Sequence, residues 1–310
     1  MAPRYLIIGA SGLVGAQLYS TLGPGNAVAT CHRKPVAGGV AFDAVETRLA
    51  DTVLKQHRGF THAFVFHGIS GIDDCARDPR GTARVNVASV CAVIDDLVDH
   101  GIVPVFASSD AVFDGTRGMW TEDDPVNPVL TYGRHKVEVE RYLAAKAAPS
   151  LVVRLAKVVS SAPGAGGLVN EWLDQLECDE EIRCANDQIF SPVDVDDVAR
   201  ALIRLAEGRF TGVFHMCGPR PLSRLEFLRM VAEEAREYRP IPARIVPCSI
   251  RDFDFAEPRP LDASMSPRKL YAALGGGFDD MNVVCARAAA RRYSQEATSR
   301  AAGNAAIARG

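Results

Sequence analysis

Three side chains that can polarise or protonate a carbonyl oxygen lie in two short segments near the middle of the chain. Tyr132 and Lys136 are four positions apart, so a helical segment would place them on one face. Tyrosine has a reference pKa of about 10, and an ammonium one turn away should lower it. Ser108 and Ser109 follow the apolar run Val103–Ala107, and a hydroxyl there can polarise the same carbonyl oxygen. The sequence therefore predicts a catalytic set of Tyr132, Lys136 and a serine hydroxyl at 108 or 109.

A glycine-rich segment near the start of the chain has the spacing G-x-x-G-x-x-G. It directly follows the apolar run Tyr5–Ile8 and precedes a helical pattern. Glycines at such a turn let the backbone approach a pyrophosphate, and the N-terminus of the following helix attracts that anion. We therefore predict a dinucleotide site formed by Gly9, Ser11, Gly12, Leu13, Val14 and Gly15.

The segment after the second apolar run indicates which dinucleotide is bound. An acidic residue there would bind the ribose of NAD, but this chain has Arg33 and Lys34. These cations can pair with a 2′-phosphate, which favours NADP(H) and leaves NAD(H) possible; the alternative is an exposed charged loop. Asp43 is expected near the adenine. His67 and Gly68 end the third run, where His67 either contacts the cofactor or packs in the core.

Short apolar runs alternate with helical patterns, and this order predicts the fold. Such runs suit strands that helices cover on both faces, so we expect an α/β fold with a doubly wound, Rossmann-type parallel sheet. The predicted strands are Tyr5–Ile8, Ala27–Cys31, His62–Phe66, Val103–Ala107, Leu151–Leu155 and Val213–Cys217. The predicted helices are Leu13–Leu22, Ala44–His57, Thr82–Asp99, Thr131–Ala147, Leu168–Leu176, Asp194–Glu207 and Ser223–Tyr238.

The chain is predicted to form two unequal domains. Residues 1–160 form the dinucleotide-binding domain, and a segment at about 187–217 returns to it. Residues 161–310 form mainly a smaller C-terminal substrate domain, whose many prolines suit loops that close over a site. The tail at 285–310 is rich in Ala and Arg, and we expect a frayed surface helix or disorder there.

Composition limits the classes of partner. The 310 residues carry a net charge of −3, which gives no support for nucleic-acid binding. No apolar run has the length of a signal peptide or a membrane span, so we expect a cytoplasmic protein without a membrane partner. The eight cysteines show no C-x-x-C spacing and are expected to be reduced core residues, with no metal site.

Taken in order, these motifs resemble the extended short-chain dehydrogenases/reductases, and within them the dTDP-4-dehydrorhamnose reductase-like, sugar-nucleotide-binding family. The resemblance covers about residues 4 to 274. It implies that Ser109, Tyr132 and Lys136 form the catalytic set and that Lys136 also holds the nicotinamide ribose. It also implies that the substrate is a nucleotide-linked sugar reduced at a keto group. It rests on the glycine segment, Val85-Asn86-Val87, Ser108-Ser109-Asp110, Tyr132-Gly-Arg-His-Lys136, Val153-Arg154, Asp187-Gln188 and Arg259-Pro260.

The sugar pocket departs from the family pattern. Ala111 stands where these reductases usually carry a tyrosine, and Lys157 stands where they usually carry a tryptophan. A cation at 157 suits a sugar with an anionic group, or it pairs with Asp110, or it points to solvent. The expected substrate-binding residues are Asp110, Ala111, Lys157, Gln188 and Arg259.

The leading hypothesis is an NAD(P)-dependent oxidoreductase, and two other functions remain open. An epimerase or dehydratase would use the same Tyr–Lys pair and retain its NAD. A non-catalytic dinucleotide-binding subunit would resemble the regulatory subunit of methionine adenosyltransferase. The intact set of Ser109, Tyr132 and Lys136 favours an enzyme, because a binding module does not need it. A homodimer is also possible.

Overall fold

The computed structural model describes residues 4–178 and 180–307, and it describes side chains as far as Ser294. The strands are β1 (Arg4–Ile8), β2 (Ala27–Cys31), β3 (Val40–Ala41), β4 (Phe60–Val65), β5 (Val103–Ser109), β6 (Leu151–Leu155), β7 (Val158–Val159), β8 (Glu181–Ala185), β9 (Ile189–Phe190), β10 (Val193–Asp194), β11 (Gly212–Met216), β12 (Leu222–Ser223) and β13 (Arg244–Cys248). The helices are α1 (Leu13–Leu22), α2 (Val53–Gln56), α3 (Ile72–Arg77), α4 (Pro79–Ala83), α5 (Ser89–Asp99), α6 (Thr131–Ala145), α7 (Leu168–Cys178), α8 (Val195–Glu207), α9 (Arg224–Arg236), α10 (Arg268–Leu274) and α11 (Met281–Ile307).

A seven-stranded parallel sheet has the order β11-β6-β5-β4-β1-β2-β3. The chain runs outward from β1 through β2 to β3 and then returns to the other side of β1 as β4. This reversal creates a crevice at the carboxyl ends of β1 and β4, where such sheets bind ligands. The predicted Rossmann-type α/β fold is confirmed.

Helices cover both faces of the sheet, and β1 shows how its side chains alternate between them. Tyr5 and Ile7 pack in the cluster that includes Leu202 of α8. Leu6 and Ile8 pack in the opposite cluster, which includes Leu97 of α5. Because successive side chains of a strand point to opposite faces, a continuous apolar run supplies both clusters.

The later part of the chain has a core of its own. Trp172 of α7, Phe227 of α9 and Val284 of α11 pack together there, beside the two-stranded parallel sheet of β8 and β13. By contrast, α8 and β11 pack with the large sheet. The two-domain division stays a prediction, which this separation of clusters supports.

One expectation about an element was wrong, and another is met only in part. The predicted helix at Ala44–His57 is only the four-residue helix α2, because the Asp43 carboxylate accepts hydrogen bonds from the backbone N–H groups of Val45 and Glu46. The tail is a helix as far as Ile307, one of its two predicted alternatives, but its first part is buried at Cys285 and Tyr293 and is not a surface helix there. Residues 308–310 lie outside the described residues.

Across the described ranges, no helix combines the length and the apolar character that crossing a bilayer requires.

Candidate active site

A cleft of about 760 Å³ opens at the carboxyl edge of the sheet and holds most of the predicted site residues. Its wall includes Gly12, Leu13, Val14, Gly15, Gly68, Ser109, Asp110, Ala111, Tyr132, Lys136, Lys157, Gln188 and Arg259. The other predicted residues lie outside this wall: Gly9, Ser11, Arg33, Lys34, Asp43 and His67. The structure thus brings the predicted catalytic set, most of the glycine segment and the predicted substrate residues to one cavity.

The three glycines between β1 and α1 serve different purposes. Gly9 has φ +89°, and a Cβ there would stand 2.7 Å from the backbone nitrogen of His67. A Cβ on Gly15 would stand 2.6 Å from the Gly9 carbonyl oxygen, so this glycine lets α1 pack on the strand. A Cβ on Gly12 would meet no described protein atom nearer than 3.7 Å, and no described side chain caps α1. The turn is therefore open where the helix N-terminus faces the cleft, which fits a pyrophosphate.

His67 places a hydrogen-bond acceptor behind the glycine turn. The Ser89 hydroxyl donates to the Val85 carbonyl at 2.7 Å, so the ring Nε2 of His67, 3.0 Å away, must donate to Ser89. The other ring nitrogen, Nδ1, is buried and has no partner among the described residues. Burial and the charge of Lys136 lower the pKa of His67 to about 4, so the ring is neutral near pH 7.

Asn86 supports the cleft wall after β4. Its side-chain oxygen accepts a hydrogen bond from the Ile69 N–H at 2.7 Å, and its amide donates to the Ile69 carbonyl at 2.9 Å. Asn86 lies in a π-helical turn, Arg84–Ala88, that joins α4 to α5. The two hydrogen bonds fix the backbone beside Gly68, which lines the cleft.

Lys136 reaches from α6 to the end of β5. Its Nζ donates to the Ala107 carbonyl at 2.7 Å and lies 4.8 Å from the centre of the Phe106 ring. It also lies 5.4 Å from the centre of the Tyr132 ring. Burial lowers the pKa of Lys136 to about 8, while the Glu140 carboxylate opposes this shift. The side chain is therefore mostly an ammonium near neutral pH.

Tyr132 enters the cleft as a neutral phenol. Burial, and then the charge of Asp110, raise the pKa of Tyr132 above its ordinary value. The expected net lowering of this pKa was wrong for this arrangement, because burial and the charge of Asp110 raise it and the Lys136 ammonium donates its hydrogen bond to the Ala107 carbonyl. A protonated phenol is the form that can donate a proton to a substrate oxygen.

Ser109 lies beside this phenol at the end of β5. Its hydroxyl donates to the Asp110 carboxylate at 2.8 Å and accepts from the Ala111 N–H at 3.1 Å. Burial raises the pKa of Asp110 to about 6. A Cβ on Gly133 would stand 2.0 Å from the Ala111 carbonyl oxygen, so a glycine lets α6 pack directly on this turn.

The sequence analysis missed Glu257, which caps α6 from a distant loop. Leu130 precedes α6 and offers no capping side chain. The Glu257 carboxylate instead accepts from the Thr131 N–H at 2.9 Å and from the Thr131 hydroxyl at 2.7 Å, and it forms an ion pair with Arg134. An uncapped helix start is the only sequence signal of such a partner, and it does not say where the partner lies.

Residues 253–259, here called the clamp loop, carry Glu257 and Arg259. Arg259 forms an ion pair with Asp73 of α3 at 2.8 Å, and its guanidinium lies 4.3 Å from the centre of the Phe255 ring. Phe253, Phe255 and Arg259 all line the cleft. The clamp loop therefore covers the cleft while it is attached to two helices that follow strands of the large sheet.

The residues predicted to select the dinucleotide lie at the edge of the sheet. Arg33 and Lys34 are exposed after β2. The Asp43 carboxylate is 3.2 Å from the ring of His32, and it also accepts the hydrogen bonds of its own turn. Its predicted contact with adenine stays a prediction.

Lys157 and Gln188 share the substrate end of the cleft with a residue that the sequence analysis did not select, Arg224. Arg224 begins α9, and its guanidinium lies 5.4 Å from the centre of the Trp172 ring. Its neighbour Ser223, where the sequence predicted this helix to begin, forms a capping box with Glu226. Among the described side chains, which end at Ser294 and omit residue 179, no group of three His, Cys, Asp or Glu could hold a metal ion.

The fold and the cleft together define a Rossmann-type protein in which a Tyr–Lys pair on one helix faces a glycine turn. The chain belongs to the family described as the RmlD substrate binding domain, whose model matches residues 3–287. The predicted membership of the dTDP-4-dehydrorhamnose reductase-like family is confirmed, and with it the enzyme class, an NAD(P)-dependent oxidoreductase.

Individual relatives are similar over most of their length. A dTDP-4-dehydrorhamnose reductase of Escherichia coli K12 is 27% identical over 75% of this chain and 78% of that protein. The methionine adenosyltransferase 2 subunit beta of Rattus norvegicus is 26% identical over 74% of this chain and 71% of that protein. A crystal structure of dTDP-4-dehydrorhamnose reductase from Bacillus anthracis in complex with NADP has a TM-score of 0.82 and 20% identity, and the match covers 96% of this chain and 100% of that one.

Proposed function

We propose that the protein uses NAD(P)H, preferably NADPH, to reduce a keto group on a nucleotide-linked sugar. One observation carries this proposal: the neutral phenol of Tyr132 lies in the same cleft as Ser109, Lys136 and the open glycine turn. The names of the reductases that this chain resembles support the same reaction and the same class of substrate.

The residues present fit a nicotinamide dinucleotide. The uncapped start of α1 beside Gly12 suits the pyrophosphate. The exposed cations Arg33 and Lys34 suit a 2′-phosphate, which favours NADP(H). When bound, the reduced nicotinamide supplies the hydride.

The chain's own residues manage the proton. Tyr132 donates its phenolic proton to the oxygen of the keto group as that oxygen gains negative charge. The Lys136 ammonium, over the face of the same ring, stabilises the phenolate that remains. The Ser109 hydroxyl turns from Asp110 toward the substrate oxygen and donates a second hydrogen bond.

A panel of nucleotide-linked 4-keto sugars tests the function through the oxidation of NADPH and NADH. We expect turnover with at least one member of the panel. A protein that binds NADPH but reduces none of them contradicts the reductase and supports a regulatory subunit, a function favoured by the similarity to methionine adenosyltransferase 2 subunit beta. Tightly retained NAD in the purified protein would instead indicate an epimerase or dehydratase.

Within this panel, we expect dTDP-4-dehydrorhamnose itself to be a poor substrate. Ala111 and Lys157 replace two aromatic side chains expected at the sugar, and both line the cleft. A flat apolar face for the C–H groups of a pyranose is therefore missing at these positions. A kcat/KM of about 10⁴ M⁻¹s⁻¹ or above for this compound would show that the two substitutions do not redirect specificity.

A further inference from the structure

Two cations, Lys157 and Arg224, line the substrate end of the cleft. Lys157 lies two residues beyond Leu155, which pairs in register with Ser109 across β5 and β6. It therefore stands one strand away from the catalytic serine. The backbone N–H of Arg224 donates to the Gln188 carbonyl at 2.9 Å, so Arg224 shares the wall of the cleft with Gln188.

These cations have no ion-pair partner within the part of the chain whose side chains are described. The carboxylates whose charge reaches Lys157 are those of Asp110 and Glu171. Asp110 accepts the hydrogen bond of Ser109, and Glu171 is exposed in the first turn of α7. Neither lies within ion-pair distance of Lys157 or Arg224.

The environment of the two cations favours an added anion. Desolvation by the cleft walls lowers the pKa of both side chains, although Lys157 is exposed to the open cleft, and the charge of Arg224 lowers the pKa of Lys157 further. The guanidinium of Arg224 lies over Trp172, which limits the directions from which water can reach it. A bound anion would offset both the burial and the mutual repulsion of the two charges.

We propose that Lys157 and Arg224 bind a carboxylate carried by the sugar itself, so that the substrate is a nucleotide-linked keto sugar acid. The inference rests on the proposed reductase function and specifies its substrate class. A planar guanidinium matches a carboxylate with two parallel hydrogen bonds, and an ammonium adds a point charge beside it. The position of Lys157 beside the strand of Ser109 places this carboxylate near the reacting carbon, on the sugar ring.

The competing source of negative charge is the diphosphate of the same substrate. Calorimetric affinities distinguish the diphosphate from the sugar carboxylate. They are measured for three probes with the protein saturated with NADPH. These are a nucleoside diphosphate, its glucose conjugate and its glucuronic acid conjugate, each in the uridine and the thymidine series. We expect the glucuronic acid conjugate to bind about ten- to a hundredfold more tightly than the glucose conjugate in one series, which is the range of a charge-assisted hydrogen bond.

Substitutions assign the preference to the two cations. Arg224→Met and Lys157→Met should each remove most of the preference for the acid and leave the affinity for the nucleoside diphosphate unchanged. Arg229→Met, at an exposed cation of the same helix α9, is the matched control and should retain the preference. A cooperative thermal transition near that of the unsubstituted protein shows that each variant is folded. Lys157→Gln or Arg224→Gln replaces a Met variant that does not fold.

The possible failures differ from one another. Equal affinity of the acid and the neutral sugar for the unsubstituted protein overturns the inference and leaves the reductase function intact. A parallel loss of affinity for the nucleoside diphosphate in the two Met variants assigns the cations to the diphosphate and also overturns it. Absence of binding by every probe in both series contradicts the nucleotide-sugar function itself.

Discussion

At the scale of single residues, the phenol of Tyr132 is the group whose removal most directly tests the chemistry. Tyr132→Phe keeps the ring and removes the proton, so we expect kcat to fall by about 10²–10⁴ while the dissociation constant for NADPH stays nearly unchanged. Steady-state kinetics and a fluorescence titration measure the two quantities. Tyr142→Phe, on the same helix but hydrogen-bonded to Asp95, is the control and should keep its turnover. Full activity of Tyr132→Phe would show that another group donates the proton.

Arg33 is the residue that should distinguish the two dinucleotides. Its guanidinium is exposed after β2, where a 2′-phosphate would add a charge-assisted hydrogen bond. We expect Arg33→Ala to weaken NADPH binding about tenfold, the loss of one such bond, and to leave NADH binding nearly unchanged. NADH titrated against the same variant is the internal control. Equal affinity of the unsubstituted protein for NADPH and NADH would contradict the assignment.

Asp110 should make stability depend on pH in an unusual direction. Its pKa is raised from 3.8 to about 6, so the folded protein binds a proton that the unfolded chain releases. Protonated Asp110 therefore adds at most about 3 kcal/mol to the free energy of unfolding. This contribution is fully present below about pH 4 and is lost as the pH rises through about 6. Denaturant unfolding of the wild type and of Asp110→Asn across this range measures the difference. Asp114→Asn is the contrast, since hydrogen bonds from Thr116 lower the pKa of Asp114 and its contribution should change in the opposite direction.

Local spacing indicated which residues we propose to react, but it did not determine their surroundings. Four-residue spacing on a helix suffices to bring Tyr132 and Lys136 to one face, and the turn after β5 supplies Ser109. The raised pKa of Tyr132 depends on burial and on Asp110, and both follow from how α6 packs on the sheet. Arg224 carries no local signal of its role, because its place in the cleft depends on β9 and β12 pairing.

At the scale of elements, α6 depends on a cap supplied by the clamp loop. Glu257→Ala removes the hydrogen bonds to the Thr131 N–H and hydroxyl and a negative charge at the helix start. We expect the free energy of unfolding to fall by about 1–2 kcal/mol and kcat to fall with it, because Tyr132 is the second residue of α6. Chemical denaturation and steady-state kinetics measure both.

Arg134→Met is the control for this prediction. It removes only the exposed ion pair with Glu257, which is worth at most about 1 kcal/mol, and it leaves the cap in place. If Glu257→Ala and Arg134→Met cost the same stability and the same activity, the cap does not position Tyr132.

The elements that the sequence predicted well are those with a strong local pattern. Buried apolar runs identified the major strands of the large sheet, and the box of Ser223 and Glu226 identified the start of α9. The predicted helix at Ala44–His57 failed because Asp43 holds a competing turn. The π-helical turn that carries Asn86 and the attachment of the clamp loop leave no periodic signal, because both depend on partners far along the chain.

At the scale of the whole molecule, α11 completes the core of the later part of the chain. Met281, Val284, Cys285, Ala288 and Tyr293 are all buried in it. A chain that ends after Asp280 should therefore lose well over about 4 kcal/mol of stability, since one large-to-small change in a core already costs about 2–5 kcal/mol. Thermal denaturation measures the loss.

A chain that ends after Ser294 is the matched truncation, because it keeps every one of these contacts. Its melting temperature and its NADPH affinity should equal those of the full chain. A large loss of stability in the chain that ends after Ser294 would place part of the core beyond residue 294.

We expect the clamp loop to couple the binding of the sugar to the binding of the dinucleotide. The clamp loop lines the cleft through Phe253 and Phe255. Glu257 caps the start of α6, and Arg259 forms an ion pair with α3. A ligand that shifts this loop must also change the constraint on the helix that carries the acid. By linkage, the factor by which the sugar changes the affinity for the dinucleotide must then equal the factor by which the dinucleotide changes the affinity for the sugar.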